Sequence, residues 1–297
     1  MAHPDDAERT ENAAGPVMTD RIRHYLGAWS AVSVVQFFVA EAAVIAAWRG
    51  PAPYTRRLNL ISDLGQVHCG LHGTREVCSP LHTLMNVSFV LQGVGMVIAA
   101  LLITSAVLRV AAYGPAVRAE ARLSEGLARA GTRRTTPLPG FRARAAVALG
   151  VAPGGGRVSR HRAIVVPRAA TLAVRILLGV AGAGVAVVGF VPQDSQEAVH
   201  LAGAGAYFLG GSLALVVLGV LWIRRTAAAW PVLLCGASAF AATVIGGAVA
   251  LHVPEPGTLE RFMGYPITAG IAVAGAVIAY RLGVPARQAR ALRRASR

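Results

Sequence analysis

YTRRLNLISDLGQVHCGLHGTREVCSPLHTLMN, residues 54–86, is the stretch from which the rest of the chain is read. It holds two closely spaced cysteines, Cys69 and Cys78, an Asn-Leu-Ile-Ser-Asp-Leu-Gly segment, and a Ser-Pro-Leu-His sequence that opens into a long apolar run. A polar, cysteine-bearing stretch feeding such a run reads as an ordered, non-cytosolic cap on a membrane helix. Outward from it, apolar runs recur at about Tyr25–Trp48, Leu81–Leu108, Ala170–Val191, Val199–Ile223, Ala229–Val253 and Tyr265–Tyr280. A helix needs roughly 20 such residues to cross about 30 Å of hydrocarbon. The expectation is an all-α membrane protein, a six-transmembrane-helix bundle.

The formal charge of +15 would suggest nucleic acid in a soluble chain. All 29 basic residues are Arg, however, and most lie between the runs or at the ends. Arg21 and Arg23 precede the first run, twelve Arg lie from Arg109 to Arg168, Arg224 and Arg225 follow the fourth, and six more occupy 281–297. All four groups fall on one side if the N and C termini are both cytosolic, which is the distribution the positive-inside rule demands. The charge therefore reports topology, and no nucleic-acid partner is expected.

Division of the chain follows. Residues 1–24 are polar and acidic and read as a disordered cytosolic tail, with no signal-peptide pattern. Residues 25–112 hold helices one and two with the outer loop 49–80, and 113–168 form an Arg, Gly and Pro-rich cytosolic loop. Residues 116–130 of that loop are weighed as an amphipathic surface helix against unstructured chain. Residues 169–281 hold helices three to six, and 282–297 a basic tail. On the outer side Cys69 and Cys78 meet an oxidising space, which favours a disulfide over two free thiols.

With the orientation set, depth is read at 1.5 Å per residue. Glu41 lies about seven residues inside Trp48, roughly 10 Å below the outer interface, where a carboxylate marks a functional site or a buried polar network. Ser79 and Pro80 have the pattern of a helix N-cap and first position. His82 and Asn86 then share one helix face. Asp194 and Glu197 have capping-box spacing, with His200 and Tyr207 continuing inward, while His252 ends the fifth run and Glu260 and Arg261 precede the sixth. Three histidines with carboxylates are the ligand types zinc takes. The zinc reading uses His82, His200 and His252 as ligands and Glu41, Asp63 or Asp194 as the catalytic carboxylate, with an open position to activate water. No two histidines have a tight ligand spacing, so a metal-free lipid or small-molecule pocket and a purely structural network stand beside it.

The residues Tyr54 with Ile61-Ser62-Asp63-Leu64-Gly65, Asn86, Gly189-Phe190-Val191-Pro192-Gln193-Asp194 with His200, and Glu260-Arg261 resemble a bacterial and archaeal multi-pass membrane family. It is classed as a domain of unknown function, number nine hundred and ninety-eight in that series. The resemblance covers about residues 25–281, apart from the Arg-rich loop, which is longer than the family core needs. It implies the same six-helix bundle and the importance of those positions, and it carries no activity.

The functional expectation is a plasma-membrane protein that binds or processes a lipid or lipid-linked molecule entering from the outer leaflet. Arg56 or Arg57 would meet an anionic headgroup, and Asn86, Tyr207, Glu260 and Arg261 would complete the binding set. A transporter or channel subunit would need polar residues continuing to the cytosolic side, where the spans are almost entirely Ala, Val, Leu and Gly. The third alternative is a structural or partner-binding protein.

Overall fold

The computed structural model describes residues 22–112 and 166–295. Residues 1–21 and 113–165, which hold the expected disordered tail and the stretch weighed as surface helix against unstructured chain, lie outside the described residues. In chain order the elements are α1 (Ile22–Ala46), a 3-10 turn (Ser62–Gly65), β1 (Gly70–His72), β2 (Arg75–Val77), α2 (His82–Leu102), α3 (Ser105–Ala112), α4 (Arg168–Phe190), α5 (Glu197–Trp222), α6 (Ala229–Val249) and α7 (Pro256–Ala295).

Six of these helices, α1, α2, α4, α5, α6 and α7 to Gly283, are long and apolar enough to cross a membrane. Val39, Leu91, Ile176, Leu201, Leu234 and Phe262, one on each, are exposed. Helices that are apolar on their outward as well as their inward face have lipid, not water, as their surroundings.

α2 packs on α1 and α4, α4 on α5, α5 on α6 and α7, and α6 on α7. Lipid gives no hydrophobic drive for this, so backbones approach where side chains are smallest. Gly184 and Gly203 face one another across α4 and α5: a Cβ on Gly184 would stand 2.5 Å from the Gly203 carbonyl, and one on Gly203 2.8 Å from that of Gly184. α7 is the most enclosed span and closes the bundle against α1.

Several boundaries depart from the sequence expectation. The second apolar run is not one helix. Ile103 is extended, and the Thr104 hydroxyl accepts from the Val107 amide at 3.3 Å, starting α3 as a separate helix. The sixth begins nine residues early, since Pro256 is suited to a first helical turn, and this puts Glu260 and Arg261 inside α7. Ser79 is no cap: its hydroxyl donates to the Leu64 carbonyl at 2.7 Å, and Leu81 precedes the helix. The Asp194–Glu197 capping box does not form either, because Gln196 is the N-cap residue and Asp194 bonds elsewhere. Arg175 donates to the Ala100 and Leu101 carbonyls at 2.9 and 3.3 Å, satisfying the C-terminal end of α2.

The 49–80 loop is ordered and not wholly irregular. β1 and β2 form an antiparallel hairpin, with Gly70 opposite Val77 and His72 opposite Arg75. Gly73 turns it at φ 62°, in the left-handed region that favours glycine. The Cys69–Cys78 disulfide closes its base.

Candidate functional site

At the end of the bundle that carries this loop, Arg261 of α7 is buried and every N–H of its guanidinium is engaged. Nε donates to the Tyr265 hydroxyl at 3.0 Å, Nη1 to the carbonyls of Arg56 (2.9 Å), Asn59 (2.9 Å) and Gly257 (3.1 Å), and Nη2 to Glu41 Oε1 at 3.0 Å and to the Tyr54 hydroxyl. The Tyr265 hydroxyl in turn reaches both Glu41 oxygens, at 2.7 and 2.6 Å. A buried ion pair is tolerable only when its remaining donors and acceptors are also satisfied, and here they are. Glu41 of α1 is thus the counter-charge of α7.

Tyr54 completes the group by donating to the Leu60 carbonyl at 3.0 Å. Burial, the largest influence on it, outweighs the nearby Arg261 and pushes its hydroxyl well above the usual phenol range, so it remains a donor. Neighbouring Glu260 accepts the Ile61 amide, so two successive α7 side chains grip the 56–61 segment. Gly257 permits the approach, since a Cβ there would meet the Asn59 and Arg56 carbonyls.

Asp63, fully buried in the 3-10 turn, takes a bidentate bond from Arg75 of β2, with Nε at 3.0 Å from Oδ2 and Nη2 at 3.0 Å from Oδ1. It also accepts the Leu60 amide at 2.9 Å. Asp194, from the α4–α5 loop, collects the Val67 and His68 amides at 2.9 and 2.8 Å and the His68 ring at 3.0 Å, all on Oδ2. Desolvation is the largest single influence and raises its pKa. The hydrogen bonds from His68, its own backbone amide and Val67 together outweigh it and hold Asp194 below the usual carboxylate range. Asn86 Nδ2 donates to the Gly65 carbonyl at 2.9 Å, docking α2 on the turn.

Inside the bundle a cavity of about 40 Å³ is lined by His200, Glu260, Ser62, Gln92, Tyr207 and Thr268 among apolar side chains. Gln92 Nε2 donates to the Tyr207 hydroxyl at 3.1 Å and to Thr268 Oγ1 at 2.9 Å, linking α2, α5 and α7. His200 Nδ1 donates to the Val191 carbonyl at 2.8 Å.

The structure does not bring His82, His200 and His252 together. His82 bonds to the Ser79 carbonyl and His252 to that of Val249, each within its own segment. Among the described residues no three His, Cys, Asp or Glu side chains are grouped to hold a metal ion. Glu41, Asp63, Asp194, Glu255 and Glu260 all lie at the loop end, but each of these has its own partner.

Arg56 and Arg57 border a groove of about 310 Å³ together with Thr258, Phe262, Tyr265 and Pro266. Arg57 pairs with Glu255, whereas the Arg56 side chain has no partner among the described residues. A larger, mostly apolar groove of about 670 Å³ between α6 and α7 shares Thr258 and Phe262 with it.

Tyr265, Arg75, His68, Gln92 and Thr268 were not among the sequence candidates. Gln92 carries the one usable signal, a neutral amide deep within an apolar run. No protein-family model, curated protein or solved structure matches the chain. Fold and site together define a multi-pass helical membrane protein whose loop end is a cross-linked polar cap.

Proposed function

We propose that this protein binds a lipid, or lipid-linked molecule, with an anionic headgroup at the groove bordered by Arg56 and Arg57. Its setting is a bacterial plasma membrane, with both termini cytosolic and the disulfide-bearing loop outside. The supporting observation is that an unpartnered arginine on an anchored backbone stands at the mouth of an apolar groove on a lipid-facing helix. Arg56 supplies positive charge for a phosphate, and Arg57, paired with Glu255, borders the same groove. Phe262 and Ile245 supply apolar surface for an acyl chain.

Arg261 does not meet the headgroup in this reading, since its donors are all engaged; it holds the Arg56 carbonyl and so positions the groove. Binding is favoured over processing. The inner His200–Glu260 cavity of about 40 Å³ has room for about three waters, well short of the roughly 300 Å³ at which small-molecule sites begin.

Native mass spectrometry of the protein released from nanodiscs of equal phosphatidylglycerol and phosphatidylcholine tests this. Retained phosphatidylglycerol on the wild type, lost in the Arg56→Gln/Arg57→Gln variant, is the expected result. Equal retention of the two lipids, or retention unchanged in the double variant, contradicts it.

A further inference from the structure

A second cleft, of about 450 Å³, opens between the hairpin and the α4–α5 loop, and it shares no lining residue with the Arg56 groove. Its lining is mostly polar and includes Gln66, His72, Arg75, Asp194, Ser195 and Glu197. Two of its residues carry a buried oxygen with no hydrogen-bond partner, Gln66 Oε1 and Asp194 Oδ1. Gln66 is 1% exposed and the Asp194 side chain 3%.

The amide orientation is fixed by its neighbour. The Gln66 nitrogen lies 3.3 Å from Asp63 Oδ1, and a carboxylate already bound by Arg75 can only accept, so Gln66 must turn Nε2 toward it and Oε1 away. Asp194 likewise has all three of its donors on Oδ2, leaving Oδ1 empty-handed. Both orphans are acceptors, and what they lack is therefore a donor.

The nearby donors do not fill the need. Arg75 directs Nε and Nη2 at Asp63, and His72 Nε2 is bonded to the His68 carbonyl at 3.2 Å. Once Arg75 and Asp63 cancel, Asp194 and Glu197 leave the lining acidic, and Glu197 has only a 3.5 Å contact with Gln193.

We propose that this cleft binds the primary ammonium group of a small polar molecule, with Gln66 Oε1 and Asp194 Oδ1 as its acceptors and Glu197 as a second carboxylate. A primary ammonium concentrates three N–H donors and a positive charge on one atom, which suits two unpartnered acceptors belonging to one acidic lining. A quaternary ammonium carries the charge without any N–H and leaves both oxygens unsatisfied. A metal ion is the weaker occupant, because no three His, Cys, Asp or Glu side chains are grouped here among the described residues.

The discriminating experiment titrates ethanolamine, and separately choline, into the full-length protein in detergent by calorimetry. Saturable ethanolamine binding at least tenfold tighter than choline is expected. Gln66→Leu is expected to weaken it at least tenfold, and Glu197→Gln, at an exposed position that does not bear on folding, severalfold. Should Gln66→Leu fail to fold, Glu197→Gln carries the test. The proposal is overturned by equal affinity for ethanolamine and choline, by no ethanolamine binding at millimolar concentration, by calcium binding that ethanolamine does not displace, or by unchanged affinity in the variants that fold. Preferential retention of phosphatidylethanolamine over phosphatidylcholine from nanodiscs assigns the ammonium to a lipid headgroup; binding of free ethanolamine alone assigns it to a soluble amine, and both support the site.

Discussion

Arg261 donates to six oxygens, on α1, α7 and the 54–59 segment between α1 and the 3-10 turn. Lysine has three donors on one flexible stem and cannot reproduce that fork. Arg261→Lys and Glu41→Ala are each expected to lower stability by about 3–5 kcal/mol, because each strands a buried charge or its partners. Replacing both, as Glu41→Leu with Arg261→Met, is expected to lose clearly less than the sum, read by unfolding in mixed micelles. Asp194 gives a pH signature. Its folded pKa lies below its unfolded value, so its contribution is present above about pH 4 and is lost as the pH falls through the folded value. Amide exchange at Val67 and His68 should therefore accelerate below pH 4 in the wild type and be pH-insensitive there, beyond intrinsic chemistry, in Asp194→Asn. Sequence alone flags Glu41, Asp63, Asp194, Glu260 and Arg261, since charges near apolar runs need an explanation. It does not pair them: Glu41 and Arg261 are 220 residues apart, and no local spacing encodes that contact.

The spans are legible as elements because a helix across hydrocarbon must be apolar for about 20 residues, a signal long enough to outlast local noise. The hairpin is not, since strands of three residues carry too little alternation to register. α3 is hidden for the opposite reason, as its break at Thr104 rests on one hydroxyl within an unbroken apolar run. Helix contacts rest on glycines whose neighbours the sequence does not name. Gly184→Ala drives a methyl against the Gly203 carbonyl and is expected to cost about 1–3 kcal/mol, whereas Gly247→Ala, where a Cβ meets nothing within 4 Å, should be neutral or slightly stabilising. Thermal unfolding of the two variants side by side checks this, and equal effects would remove the close approach of α4 and α5 as a determinant.

For the whole molecule, six spans put the arginines at 23, 168, 224, 225 and 281 at one end and the disulfide, the hairpin, the Arg56 groove and the ammonium cleft at the other. The functional account depends on that second end facing outward, because a disulfide persists in an oxidising space and outer-leaflet lipid is met only there. A lipid-binding groove on the cytosolic side would meet a different leaflet and leave Cys69 and Cys78 in reducing surroundings. The most direct test is cysteine accessibility in intact cells, in a Cys235→Ala background that retains the native disulfide. Leu58→Cys, 52% exposed in the native loop, and Arg224→Cys, exposed after α5, serve as the two reporters. The account predicts that a membrane-impermeant maleimide labels the Leu58→Cys variant in intact cells and the Arg224→Cys variant only after permeabilisation. The reverse pattern would contradict it.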